Sequence, residues 1–316
     1  FFRWYFVYFI KESEGSGMND RKAIRIGVDV GGTNTDICAV DEESGELMVF
    51  KLPSSIGDQS QAVIGGITAI ECDCHFTGQD VTRFMHGTTV ATNAILEGRG
   101  AKTALITTKG FRDLLEIGRQ KRPDLYDLQA DKVRTLVPRD LRFELTERVN
   151  YLGHVVQSPD DGELEHIIAK IKDSGATAVA VMFLNSYQNP VNEQYVASRL
   201  LQALPGIFLT ISSELSNQFR EYERLCGTVL NSFVGPEVKK YMQNLQTKLQ
   251  DVGIEPAIDE LDYTIDGISY TIEYFDNPKE YFYIERNAYY DTLSGKKGYL
   301  LKNGYVILLD PYIVFN

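Results

Sequence analysis

Apolar positions along this chain recur at two periods, and each switch between them marks an element. Ile24-Arg25-Ile26-Gly27-Val28 alternates as a buried strand does, and Ile37-Cys38-Ala39-Val40 repeats the pattern. Glu46 to Leu52 supplies a third strand after the Ser44-Gly45 turn. From Asp58 to Cys72 the period lengthens: Ala62, Val63, Gly66, Ile67 and Ile70 fall on one helical face, with Asp58 as a candidate N-cap. Val81 to Met85 is a short strand running into His86-Gly87-Thr88-Thr89, followed by a helix from Val90 to Glu97 that Gly98 and Gly100 close. Lys102–Thr108 predicts a strand and Gly110–Ile117 a helix. The polar stretch Gly118–Pro138 predicts a long functional or interfacial loop. Glu144–Val149, Gly153–Val156, Ala176–Leu184 and Ile207–Ser212 read as strands, and Pro159–Ser174 and Pro190–Leu204 as helices. Two further helices, Phe219–Leu230 and Gly235–Gln250, are expected to break near Gly235-Pro236. This alternation predicts an α/β fold with a largely parallel, helix-covered sheet. Past Glu255 tyrosine becomes dense, and Asp266-Gly267 and Asn303-Gly304 signal hairpins in a small β-rich tail.

Composition narrows the classes. The 316 residues are 43% hydrophobic and 24% charged, as in a soluble globular protein of two domains. A net charge of −12 argues against a nucleic-acid surface. Four cysteines do not make a disulfide scaffold in a chain this long, and a reducing cytoplasm is the expected compartment. Cys72-Asp73-Cys74-His75 lacks the second pair that zinc spacing requires. The aromatic run Phe1–Ile10 is too short to span a bilayer, and no membrane partner is expected. Met18 reads as the natural start, with residues 1–17 as an extension or fusion.

The chemistry concentrates in Asp29-Val30-Gly31-Gly32-Thr33-Asn34-Thr35-Asp36. Strand, Gly-Gly turn, strand is a hairpin, so this is neither a Rossmann fingerprint nor a Walker loop, both of which open a helix. Adjacent glycines let backbone N–H groups approach an anion, Thr33 and Thr35 add hydroxyl donors, and Asp29 and Asp36 can hold a cation through water. The residues alone leave two readings open, an ordinary Gly-Gly hairpin and a grip on phosphates with magnesium.

A second block, His86-Gly87-Thr88-Thr89-Val90-Ala91-Thr92-Asn93-Ala94, changes the balance. Together with the Gly-Gly-Thr segment, Gly110-Phe111-Arg112-Asp113, Glu116-Ile117-Gly118-Arg119-Gln120, Arg122 to Leu128 and Phe219 to Arg224, it resembles the hydantoinase/5-oxoprolinase family, in its hydantoinase A N-terminal region. Acetone and acetophenone carboxylase subunits share these motifs. The resemblance runs from about Ile24 to Gly253.

That resemblance implies an actin-like ATPase fold, ribonuclease-H-like in each half, and ATP-dependent opening of a cyclic amide such as 5-oxoproline or a hydantoin. Phosphorylating the amide oxygen turns a poor electrophile into one with a good leaving group. The match makes Gly31, Gly32, Thr33 and Thr35 the phosphate loop for ATP and makes Asp29 and Asp36 catalytic carboxylates, with Asp29 on the Mg2+ side. It assigns His86 a catalytic role and Thr88, Thr89 and Asn93 substrate contacts, while Arg119 and Arg122 stay in a solvated charge run. A hydantoinase B-type subunit or a second copy is the implied partner. By segments, 1–17 is a leader, 18–205 the family's N-terminal domain, 206–254 the start of its core domain, and 255–316 an unassigned tail. No second Gly-Gly-Thr loop follows Gly253, so a truncated or fused product, incomplete alone, is expected. Two alternatives stand beside this: a non-catalytic remnant or interaction subunit, and a sugar kinase of the same superfold.

Overall fold

The computed structural model describes residues 6–10, 22–54, 58–120, 126, 129, 135–254, 288–291, 296–301 and 305–308. The chain divides into two compact units, one taking the described residues up to Glu97 and from Glu237 onward, the other Gly98–Pro236. These units are cut differently from the sequence segments, because the last part of the final long helix returns to the first unit.

In the first unit, β1 (Phe6–Ile10), β2 (Ile24–Val30), β3 (Asn34–Asp41), β4 (Leu47–Pro53) and β5 (Val81–Thr88) form one sheet. Their order is β1-β5-β2-β3-β4. The strands β2, β3 and β4 make an antiparallel meander, and β5 runs parallel to β2. Strand β1 pairs antiparallel with β5 and forms that edge. Alternation along β2 fixes the faces: Ile24, Ile26, Val28 and Val30 are buried, while Arg25, Gly27 and Asp29 point the other way. Helix α1 (Ser60–Cys74) buries the predicted Ala62, Val63, Gly66, Ile67 and Ile70. Gly66 lets the helix sit close to the sheet, since a Cβ would stand 2.0 Å from Ile37 Cδ1 and 2.7 Å from Leu52 Cδ1 and those side chains would have to move. The expected cap is displaced by one residue. Gln59 holds the N-cap position without a side-chain bond. Asp58 instead accepts from the backbone N–H and hydroxyl of Ser60, and its other oxygen takes Lys248 Nζ at 2.6 Å. Helix α2 (Val90–Glu97) follows β5 directly.

The second unit carries a parallel sheet. Its strands are β6 (Thr103–Thr108), β7 (Arg142–Leu145), β10 (Ala178–Met182) and β11 (Phe208–Ile211), with β8 (Arg148–Val149) and β9 (Val155–Gln157) as a separate ribbon. The sheet order is β11-β10-β6-β7. Helices α4 (Asp161–Ser174) and α5 (Val191–Ala203) cover the face carrying Ile106, Leu145 and Val181. The other face packs Leu105, Ala180 and Met182 against Leu225 and Val229, beside α3 (Leu114–Ile117) and near the one-turn α6 (Ser212–Leu215).

Two predicted elements change here. The helix expected over Gly110–Ile117 shrinks to α3, because Gly110 takes φ +91°, outside helical space. The strand expected over Glu144–Val149 splits, since Thr146 and Glu147 leave the ladder and bond side chains of α4 and α5. A third correction concerns the last helix: α7 (Glu221–Asp251) is continuous through Pro236. Its apolar stripe runs from Leu225, Val229 and Phe233 to Tyr241, Leu245 and Leu249, all buried, and packing on both sides of the proline holds the helix together.

Near the C-terminus β12 (Ala288–Asp291), β13 (Lys296–Leu301) and β14 (Tyr305–Leu308) form an antiparallel sheet. Strands β13 and β14 pair antiparallel, while the predicted turns Asn303-Gly304 and Asp266-Gly267 lie outside the described residues. No helix among the described residues is long and apolar enough to cross a membrane.

Candidate functional site

The Gly-Gly segment closes the β2–β3 hairpin as the sequence predicts. Val30 pairs with Thr35, and Gly31 N–H donates to the Asn34 carbonyl at 2.9 Å, so Gly31, Gly32 and Thr33 make the turn. Ser54, just past β4, braces it from behind: its hydroxyl donates to the Gly31 carbonyl at 2.7 Å and its N–H to the Thr33 carbonyl at 2.9 Å. Nothing in the periodicity pointed to Ser54, although it follows a predicted strand that pairs with the loop.

Neighbouring strands bring the second motif to the same end of the sheet. Thr89 N–H donates to the Val30 carbonyl at 3.2 Å, and Asn93 Nδ2 donates to Thr89 Oγ1 at 3.2 Å. A Cβ on Gly32 would lie 3.4 Å from Asn93 Nδ2, so the turn and the start of α2 are in near contact. Thr88 Oγ1 accepts from Val90 N–H at 3.2 Å, at the first residue of α2.

On the open face Asp29 and Asp36 stand directly opposite each other in the antiparallel ladder, with Gly87 beside Asp29 on its other flank. Asp36 pairs with Lys51 Nζ at 2.8 Å. Asp29 Oδ1 is buried and has no hydrogen-bond partner. Burial, reinforced by the charge of Asp36 and opposed by Lys51, pushes the Asp29 carboxyl up to about 6. Such an oxygen is the natural place for a cation. No group of three or more candidate ligands gathers among the described residues, so the two carboxylates would hold Mg2+ only with water completing its shell.

Two predicted site residues face away. His86 pairs in register with Val28 on the helix-covered side, is fully buried, and bonds Tyr241 of α7 at 2.7 Å through Nε2. Burial lowers its pKa to about 3, so it is a neutral core histidine rather than a proton carrier at the loop. Thr35 is likewise fully buried, its hydroxyl 3.0 Å from that of Ser54, and it supports the turn from within. The loop, Asp29, Asp36, Thr89 and Asn93 therefore share one end of the sheet, and His86 and Thr35 lie beneath it. Arg119 pairs with Glu223, joining two of the quoted motifs, while Arg122 falls outside the described residues.

Comparisons with known proteins agree with the motifs. An uncharacterized protein of Methanocaldococcus jannaschii is 36% identical over 232 residues, covering 72% of this chain and 34% of that protein. Caprolactamase subunit alpha of Pseudomonas jessenii is 31% identical over 241 residues, 74% of this chain and 34% of the relative. The crystal structure of that organism's ATP-dependent caprolactamase superposes on 72% of this chain and 34% of the solved one, with a TM-score of 0.68 and 31% identity. The 5-oxoprolinase 1 of Arabidopsis thaliana is 31% identical over 262 residues, 72% of this chain and 20% of the enzyme. The matched part thus spans between a fifth and about a third of the length of these relatives. Residues 25–204 match the model of the hydantoinase/oxoprolinase N-terminal region, and the chain belongs to that family.

Proposed function

We propose that this chain supplies the phosphate-holding part of an ATP-dependent enzyme that opens a cyclic amide of the 5-oxoproline, hydantoin or lactam kind. The observation that carries the reading is the joint placement of the Gly31–Thr33 turn and the unpartnered Asp29 carboxylate oxygen at one end of the sheet. The sheet order supports the actin-like, ribonuclease-H-like expectation: an antiparallel meander is followed by a strand parallel to its first member. The relatives support the chemistry, since one is an ATP-dependent caprolactamase and another a 5-oxoprolinase. Relatives that are subunits, such as caprolactamase subunit alpha, support a second chain as partner.

In this reading the N–H groups of Gly32 and Thr33, the Thr33 hydroxyl and the start of α2 face the nucleotide's phosphates. Thr89 and Asn93 hold the loop's neighbour in position. Asp29 and Asp36 would hold a Mg2+ ion that, when bound, would neutralise phosphate charge and favour the ionised form of Asp29. The buried His86 and Thr35 set the shape of the sheet end. Calorimetric titration with ATP and magnesium tests the assignment. Gly32→Val places a branched side chain against Asn93 and is expected to abolish binding while the hairpin still pairs. Equal affinity in variant and parent would refute it.

A further inference from the structure

The second unit holds a separate group of buried polar atoms with no partners. In its sheet β6 sends its chain to α3 on one face, and β10 sends its chain to α5 on the other. Between these neighbouring parallel strands lies a topological switch point, where open α/β sheets leave a crevice outside the carboxyl ends. Thr107, the last residue but one of β6, stands at its edge, with β7 on the other flank of the strand. It is fully buried and its hydroxyl has no hydrogen-bond partner. Its register partners are Met182 on β10 and Glu144 on β7. Two residues before Glu144 on the same face is Arg142, only 3% exposed, whose Nη1 is also unpartnered although Nε and Nη2 bond Val137, Glu116 and Thr135. Arg112, from the Gly-Phe-Arg-Asp motif, approaches Glu144 Oε2 with Nε at 3.9 Å, an ion pair too long for a hydrogen bond, and that Nε has no other partner. Glu144 is meanwhile occupied by Gly110 N–H at 2.8 Å.

A hydroxyl and a guanidinium nitrogen are thus left without acceptors on the one face of β6 and β7 that also carries Glu144, and a second guanidinium nitrogen stands 3.9 Å from that carboxylate. Buried donors in this state are costly unless something accepts from them. We propose that this end of β6 and β7 binds an oxyanion of a small molecule, a carboxylate or a phosphate, with Thr107 and Arg142 as fixed donors and Arg112 swinging from Glu144 to meet it. The Arg112 and Glu144 side chains are 34% and 28% exposed, so the cluster reaches the surface through them. This gives the Gly110–Asp113 motif a binding role that the loop at Gly31 does not need.

The test reads melting temperature against inorganic phosphate and, separately, acetate, at ionic strength fixed with sodium chloride. Using the parent and the Gly32→Val chain together separates this site from the loop, whose failure as a nucleotide site would leave the result here untouched. A saturable rise in both backgrounds is expected, and whichever anion saturates names the source as phosphate or carboxylate. Thr107→Val and Arg112→Gln should each weaken the apparent affinity about tenfold, the loss of one charge-assisted hydrogen bond. Arg199→Gln, on the exposed side of α5, should not. Without anion, Thr107→Val should melt at or above the parent temperature, because it removes an unpaired hydroxyl. No saturable response to either anion, or one unchanged in both variants, would overturn the proposal, as would a Thr107→Val chain that melts well below the parent.

Discussion

At the scale of single residues, Asp29 and His86 show how one strand register separates two titratable groups that the sequence places close to a shared motif. Asp29 is a carboxyl whose folded pKa lies above its unfolded value, so the native state holds the extra proton. Its contribution to stability is present below about pH 4 and is lost as pH rises to about 6. Asp29→Asn should therefore flatten the fall in melting temperature across that window and, in the same chain, remove magnesium-dependent nucleotide binding. His86 has the opposite sign, because its folded pKa of about 3 lies below the ordinary imidazole value. Its burial favours folding only while it is neutral, and that is lost as the solution is acidified from about pH 6.5 towards 3. Tyr241→Phe, which strips Nε2 of its partner, should cost on the order of 1–3 kcal/mol in denaturant unfolding and leave nucleotide affinity unchanged. The motif made both residues visible in the sequence, but not their faces. Strand alternation from Val28 to Asp29 across to His86 and Gly87 could have assigned them, had the parallel pairing of β2 with β5 been known.

At the scale of elements, legibility followed locality. Helix α4 announces itself by Asp160, whose side chain accepts from Glu163 N–H at 2.8 Å, and by the left-handed Gly175 that ends it. Asp160→Ala should lower stability by about 1 kcal/mol, read from chemical denaturation. The α1 stripe and the β2–β3 hairpin were equally plain, because their signals sit within a dozen residues. Helix α7 was not: Gly235-Pro236 carries a local stop signal, and partners far along the chain override it. Gly235 is there for space, since a Cβ would meet the Phe208 ring at 2.2 Å. Gly78 is a harder constraint still, with a would-be Cβ 2.0 Å from the Val252 carbonyl oxygen, where backbone cannot step aside. Gly78→Ala should destabilise by about 1–3 kcal/mol or more, and a melting temperature equal to the parent's would show that the turn after α7 can shift.

At the scale of the whole molecule, the described residues of the second unit all fall within Gly98–Pro236, which in sequence separates two parts of the first unit. Expressed alone, it should unfold cooperatively, and a non-cooperative melt would mean that it borrows its stability. Which segments would combine was the least legible property of the sequence, since strand–helix alternation says nothing about which sheet takes back α7. That interleaving has a consequence in time. The sheet built from β2 to β5 is complete in sequence by Thr88, yet Tyr241, the partner of His86, lies 155 residues further on. At ordinary ribosomal speeds that gap lasts roughly ten to thirty seconds. Throughout it, the His86 imidazole would wait for Tyr241 of α7, while the second unit, finished earlier, is free to fold first. The order of synthesis thus gives the nascent chain a long interval in which α1 alone packs on this sheet and the imidazole lacks its partner, and makes that half the natural client of whatever guards new chains against aggregation.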